Sequence, residues 1–193
     1  MVIAEFKIGI WNAWIPMLFL AIHPLYMILL DKIFGNGNIF KKLGPVPYQR
    51  WEKSVSTITS ATLVLLVLYS IFIPLKVGTS ALWIGMGIYL VGLALLILVF
   101  INIAQTPFGQ PFTRGLYRFS RHPMYFASWI SLVGVGLASE SSVFLVMVLL
   151  LIIMQPVQAN AEERFCVEKF GQTYKEYMNG TPKWIGLPGK NRT

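Results

Sequence analysis

The chain has 193 residues, of which 55% are apolar and 12% are charged, and its mean hydropathy is +0.63. Soluble domains average about 45–50% apolar and about 25% charged residues, so this composition excludes an ordinary soluble domain and indicates an integral membrane protein. The formal net charge of +8 does not indicate a nucleic-acid partner, because the basic residues lie between apolar segments and no soluble domain is large enough to carry a binding face.

Five apolar segments follow one another and predict an all-α, polytopic membrane protein that forms a single domain over residues 1–193. A helix needs about 20 residues to cross about 30 Å of hydrocarbon, and the first three segments meet that length. The fourth is shorter and is expected to borrow length from the His-Pro segment before it. The segments are about Gly9–Leu30, Ser54–Ile73, Ala81–Ile101, Met124–Ala138 and Ser141–Gln158.

Proline and glycine residues predict how these spans are shaped and packed. Pro16 and Pro24 lie inside the first span, where a missing backbone donor kinks a membrane helix. Glycines in the third and fourth spans predict close helix packing. They are Gly85, Gly87, Gly92, Gly134 and Gly136. Only Ser139 and Glu140 separate the last two spans, which predicts a tight helical hairpin.

The basic residues predict the orientation. Of the 16 Lys and Arg residues, all except Lys7 and Lys76 lie on one side of the five predicted spans. Because basic loops stay in the cytoplasm, we expect an extracytoplasmic N-terminus and a cytoplasmic C-terminus, in a plasma or endoplasmic-reticulum-type membrane. Residues 1–102 then hold three spans, and residues 103–193 hold a loop, the hairpin, an interfacial helix and a tail.

The C-terminal region is expected to follow the last span at the cytoplasmic face. Asn160 to Met178 interleaves aromatic and charged residues, as an interfacial helix does, and Gly171 is expected to break it. Pro and Gly spacing from Pro182 to Pro188 argues against a helix there. Trp184 is expected to return to the headgroup layer.

A first polar cluster precedes the fourth span. Pro and Gly residues make Gln105–Gly115 an irregular loop, and Arg121 and His122 follow it. Ionisable groups beside a bilayer are costly and tend to mark function. Each residue also has an ordinary interpretation, since His122 can be a core histidine and Arg121 can extend to lipid phosphate.

A second polar cluster ends the fifth span. Gln155, Gln158 and Glu162 share one helix face, and Glu163 lies about 100° around the helix. The alternative is a solvated helix end. The predicted hairpin holds both clusters at one membrane face, where their donors and acceptors converge on a polar ligand.

These residues carry a resemblance to a known family. The matching elements are Arg121-His122-Pro123 with Tyr125, Glu162-Glu163, Phe170-Gly171 with Tyr174 and Tyr177, and Leu187-Pro188. The pattern, over about residues 105–188, resembles the isoprenylcysteine carboxyl methyltransferases, and related phospholipid methyltransferases share its first two elements. The resemblance implies a cytoplasmic pocket for S-adenosylmethionine, formed by the C-terminal half, with S-adenosylhomocysteine as product and no metal.

The resemblance also assigns roles to residues. It places a larger set at the cofactor, namely Gln105, Gln110, Pro111, Phe112, Tyr117, His122, Pro123, Met124, Tyr125, Glu162 and Glu163. Arg121 and Glu162 are the expected catalytic residues, because an arginine should position the substrate carboxylate. Eukaryotic relatives place an arginine where this chain has Gln158, so Gln158 and Arg164 are the candidates for substrate binding.

The implied reaction is methyl-ester formation on the C-terminal carboxylate of a prenylcysteine-like, lipid-linked substrate by in-line displacement. Such a carboxylate has a pKa of about 3.3–3.7 and needs no general base. The substrate would enter sideways from the lipid bilayer. Three alternatives remain open: methylation of a phospholipid or another amine, a sterol-reductase-like enzyme with a nicotinamide cofactor, and a non-enzymatic transporter or scaffold.

Overall fold

A computed structural model describes residues 9–35, 37 and 39–187, so Lys7, Pro188, Lys190 and Arg192 lie outside the described residues. The predicted all-α class is confirmed for the described part. The helices are α1 (Trp14–Ala21), α2 (His23–Phe34), α3 (Ile39–Leu43), α4 (Arg50–Ser70), α5 (Ser80–Gln105), α6 (Pro123–Ala138), α7 (Ser142–Phe170) and α8 (Gln172–Gly180). A short 3₁₀ helix, Gly115–Arg118, precedes α6.

Three of these helices, α4, α5 and α7, are long and apolar enough to cross a membrane, and the pair α1 and α2 counts as a fourth span if taken together. Helix α6 has 16 residues, which is about 24 Å at 1.5 Å per residue and shorter than the hydrocarbon layer. The His-Pro segment adds only Pro123 to this helix. Three or four spans are therefore supported, and the fifth stays a prediction.

The predicted kink in the first span is confirmed. Helices α1 and α2 meet at Ile22 with a bend of 48°. Pro24 has no N–H to donate to the carbonyl oxygen of Leu20 four residues earlier. The Nδ1 atom of His23 lies 2.9 Å from that oxygen, so the side chain supplies a donor at the bend.

Glycines bring α5 and α6 into close contact. A Cβ atom at Gly85 would lie 2.4 Å from the backbone nitrogen of Ala138, and one at Gly134 would lie 2.4 Å from that of Tyr89. Gly92 meets the same helix at Ser131. The packing prediction is wrong for Gly87, which has no atom within 4 Å of an added Cβ.

The connections between helices gather at two opposite ends of the bundle. At one end, the backbone N–H of Ala13 donates to Ile73 (2.9 Å), and that of Lys76 donates to Ala138 (3.1 Å). The start of α1, the α4–α5 connection and the α6–α7 turn therefore meet there. The opposite end holds the α2–α4 connection, the loop before α6 and the C-terminal segment.

Helix α7 continues without a break from its apolar part to Phe170, as the sequence predicted. Gly171 ends it in a left-handed conformation (φ 58°), which favours glycine. Helix α8 follows at once and buries Tyr174 and Tyr177 against the bundle. Residues 181–187 are not helical, as expected.

Candidate functional site

A cavity of about 280 Å³ opens at the end of the bundle that holds the loop before α6. Most of its wall comes from that loop, α6 and α7, but Lys42, Gly44 and Val46 also line it. The C-terminal half was expected to form the cofactor pocket, but it does not line this cavity alone, because α3 and the segment after it also contribute. The other lining residues are Leu43, Phe112, Tyr117, Arg121, His122, Met124, Tyr125, Glu162, Phe165, Cys166, Lys169, Phe170 and Tyr174.

His122 sits at the cavity wall with a carboxylate on each ring nitrogen. Its Nε2 atom lies 3.0 Å from Oε1 of Glu163, and its Nδ1 atom lies 3.4 Å from Oε2 of Glu162. The residue is 6% exposed. Burial lowers the pKa of His122, but hydrogen bonds and charge attraction from Glu162 and Glu163 outweigh it, so the pKa is raised above its usual 6.5. Both ring nitrogens can donate only when the ring is an imidazolium.

Glu163 lies close to three basic side chains. In addition to His122, the Nε atom of Arg121 lies 3.2 Å from Oε1, and Nζ of Lys183 lies 3.5 Å from Oε2. The Nε atom of Arg121 is buried and has no well-aligned hydrogen bond. Arg121 is also one of the residues that line the cavity, so this cation lies beside the space that a ligand would occupy.

The polar side chains of α7 face α6. The hydroxyl of Tyr125 donates to Oε1 of Glu162 (2.5 Å) and lies 3.5 Å from Oε1 of Gln158. One turn further along α6, the indole N–H of Trp129 donates to Gln155 of α7. The hairpin thus brings the two polar clusters together, at the end of the helices where the cavity opens.

Two lysines add charge to the cavity. The ammonium of Lys42 donates to the carbonyl oxygen of Ala104 (2.5 Å) and lies 3.6 Å from Oδ1 of Asp31, so its charge is largely matched inside the fold. Lys169 is exposed, and its Nζ atom lies 5.4 and 5.3 Å from the ring centres of Phe165 and Phe170. Lys169 therefore places a positive charge beside apolar rings.

Some of the residues predicted for the site lie elsewhere. Gln105 and Gln110 are exposed, and Pro111 is half-buried but does not line the cavity. Pro123 is buried in the first turn of α6. Arg164 does not line the cavity and pairs with Glu52 of α4, with hydrogen bonds of 2.9 and 2.7 Å.

Sequence reasoning missed residues that come from distant parts of the chain. Lys42, Gly44 and Val46 carry no motif, and their place at the cavity depends on how the chain turns after α2. Trp184 was expected in the headgroup layer, yet its ring packs 5.7 Å from that of His122. Among the described residues, no group of three His, Cys, Asp or Glu side chains could hold a metal ion.

Comparison with known proteins agrees with this geometry. The family model described as phospholipid methyltransferase matches residues 79–173, just under half of the chain. The match runs from the start of α5 into α8 and includes His122, Glu162 and Glu163. Over that segment the chain is similar to phospholipid methyltransferases. The comparison with curated proteins gives no match.

Proposed function

We propose that this protein is an S-adenosylmethionine-dependent methyltransferase that forms a methyl ester on the carboxylate of a lipid-linked, prenylcysteine-like acceptor. One observation carries the proposal. Within the segment that matches the methyltransferase family, Arg121, His122 and Glu162 converge on one cavity at an end of the helical bundle.

The lining residues suit the chemical groups of S-adenosylmethionine. The rings of Phe112 and Tyr117, with centres 5.6 Å apart, offer aromatic faces that stabilise a cation such as a sulfonium. Glu162 offers a carboxylate that can accept from ribose hydroxyls or an ammonium group. The cavity volume of about 280 Å³ lies just below the roughly 300–1,000 Å³ usual for small-ligand pockets. When bound, the cofactor supplies an electrophilic methyl carbon.

The charges at the cavity favour an anionic acceptor. The guanidinium fork of Arg121 is the geometry that binds a carboxylate through two hydrogen bonds. Among the described residues, His122 has a carboxylate beside each ring nitrogen, which favours its imidazolium form over a free base. An ionised carboxylate attacks without losing a proton, so this arrangement is sufficient for ester formation.

Apolar side chains at the cavity can contact the lipid part of the acceptor. Leu43, Val46, Phe165 and Phe170 line it together with the exposed Lys169. A prenyl or acyl chain would contact these side chains, while its anionic head reaches Arg121. This arrangement supports entry from the membrane rather than from solution.

The second candidate is N-methylation of a phospholipid amine, which the description of the matching family favours. An amine reacts only when neutral, so this activity would need a proton acceptor or a pH near the amine pKa. The same match favours methyl transfer over the reductase alternative.

The test uses the purified protein in lipid nanodiscs with methyl-labelled S-adenosylmethionine and two acceptors, farnesylcysteine and phosphatidylethanolamine. We expect a base-labile methyl ester on farnesylcysteine, at a rate nearly constant above neutral pH. Arg121→Gln should lower this rate by about tenfold or more, whereas Arg118→Gln, on the exposed 3₁₀ helix, should not. Base-stable label on phosphatidylethanolamine, rising with pH, would replace the carboxylate proposal with the amine.

A further inference from the structure

Residues 181–187, here called the C-terminal strap, run alongside the loop that carries Arg121. The backbone N–H of Arg121 donates to the carbonyl oxygen of Pro182 (3.0 Å), and the N–H of Gly186 donates to that of Phe119 (3.0 Å). Two backbone bonds at separate points hold the strap in one register. The strap is therefore a fixed part of the fold.

The side chains of the strap contact the cluster around the buried His122. The ring of Trp184 has its centre 5.7 Å from that of His122 and 5.0 Å from that of Trp129. Nζ of Lys183 lies 3.5 Å from Oε2 of Glu163, the carboxylate whose other oxygen contacts His122. Lys183 also donates to the side chain of Asn160, at the end of α7 nearest the cavity.

The strap and the cavity lie on different sides of this cluster. His122 and Arg121 line the cavity, whereas Lys183, Trp184 and Glu163 do not. Anything bound in the cavity therefore meets His122 on one side, while Lys183 and Trp184 act on the other. Without the strap, Arg121 and His122 would be the partners left to Glu163 among the described residues, and one side of the His122 ring would lose its cover.

We propose that the C-terminal strap is a positioning element, in which Lys183 fixes Glu163 and Trp184 covers His122, so that together they set how His122 faces the cavity. Lys183 and Trp184 touch neither the cofactor nor the acceptor in this account. That the strap thereby supports methyl transfer rests on the proposed function.

The test follows His122 directly, because the chain has only two histidines. Histidine-labelled protein in detergent gives two ring signals, and a His23→Asn variant identifies which belongs to His122. The charged and titratable groups around that ring are Arg121, Tyr125, Glu162, Glu163 and Lys183. Lys183→Gln removes one cation from Glu163, which leaves more negative charge for the imidazolium. We expect the His122 titration to move up by roughly half a pH unit.

Matched variants separate this role from a general effect on folding. Lys183→Arg keeps the charge and should restore the wild-type titration, and Lys175→Gln, on the exposed side of α8, should not alter it. Trp184→Leu should change the His122 ring signal and, like Lys183→Gln, should weaken the binding of S-adenosylhomocysteine by about tenfold. That loss corresponds to about one charge-assisted hydrogen bond.

The His122 titration tests the role of the strap, and the binding of S-adenosylhomocysteine tests the proposed function, so each can be contradicted without the other. An unchanged His122 titration in Lys183→Gln, in protein that keeps its melting temperature, would overturn the role of the strap whatever the ligand does. A shifted titration in a protein that never binds S-adenosylhomocysteine would support the positioning role and remove the proposed function.

Discussion

At the scale of single residues, two adjacent glutamates differ in what they contact. Glu162 accepts a hydrogen bond from Tyr125 and lines the cavity. Glu163 does not line the cavity and pairs with Arg121 and Lys183. Neighbours in a helix point about 100° apart, so adjacent carboxylates reach different surroundings. The sequence predicted that both would face the polar cluster at the start of α6. It could not assign their partners, because Lys183 comes from a separate segment.

The first prediction concerns the pH dependence of the His122 pairs. Because the folded pKa of His122 is raised above 6.5, the imidazolium contributes stability that is complete below pH 6.5 and is lost as the pH rises through the folded pKa. Melting temperatures of wild type and His122→Asn in detergent should therefore differ most below pH 6.5 and converge as the pH rises through the folded pKa. A gap that widens with rising pH would contradict the assignment of charge to His122.

The second prediction separates Arg164 from the site. Its guanidinium makes two hydrogen bonds to Glu52, whose side chain is 3% exposed, so removing Arg164 leaves a buried carboxylate without this cation and with the backbone N–H of Gln49 as a remaining donor. Arg164→Leu should lower the melting temperature by a few degrees, and adding Glu52→Gln should recover much of the loss. Binding of S-adenosylhomocysteine should stay unchanged in both variants, since neither residue lines the cavity. Weaker binding in the stable double variant would return Arg164 to the site.

At the scale of elements, the sequence predicted the long apolar helices well, because length and hydropathy are properties of contiguous residues. The sequence also predicted the kink at Pro24 and the end of α7 at Gly171, because a single residue determines each of them. Helix α3 and the segment after it were not predicted to line the cavity. Their position depends on contacts such as Lys42 with the end of α5, which no periodicity in the chain records.

The third prediction compares two glycines that lie two residues apart on α5. Gly85→Ala forces a Cβ against the backbone of α6 and should lower the free energy of unfolding by about 1–3 kcal/mol. Gly87→Ala meets open space and should raise it by about 0.5–1 kcal/mol, through the smaller entropy loss of alanine. Thermal or denaturant unfolding in detergent measures both. Equal effects would show that α5 and α6 do not pack through Gly85.

At the scale of the whole molecule, the two ends of the bundle carry different chemistry. One end holds short turns, and the other holds the charged cluster, the cavity and the strap. The basic residues predict that the second end is cytoplasmic, where a soluble cofactor is available. This orientation stays a prediction, because helix packing alone does not distinguish the two faces of a membrane.

The fourth prediction tests that orientation. Cys166 is the only cysteine, so a Cys166→Ser background accepts single reporters at two exposed positions, Val77→Cys and Lys175→Cys. A membrane-impermeant maleimide applied to intact cells should label Val77→Cys only, and both should react after the cells are opened. Labelling of Lys175→Cys in intact cells would invert the orientation and place the cavity on the outer face.

The measurement that tests the central claim most directly is calorimetric titration of the detergent-purified protein with S-adenosylhomocysteine. We expect saturable binding with a dissociation constant on the order of micromolar, about −8 kcal/mol. Glu162→Ala and His122→Ala should abolish it, whereas Lys175→Gln, on the exposed side of α8, should not. The absence of binding by a protein that melts cooperatively would contradict the methyltransferase account and direct the search to nicotinamide cofactors.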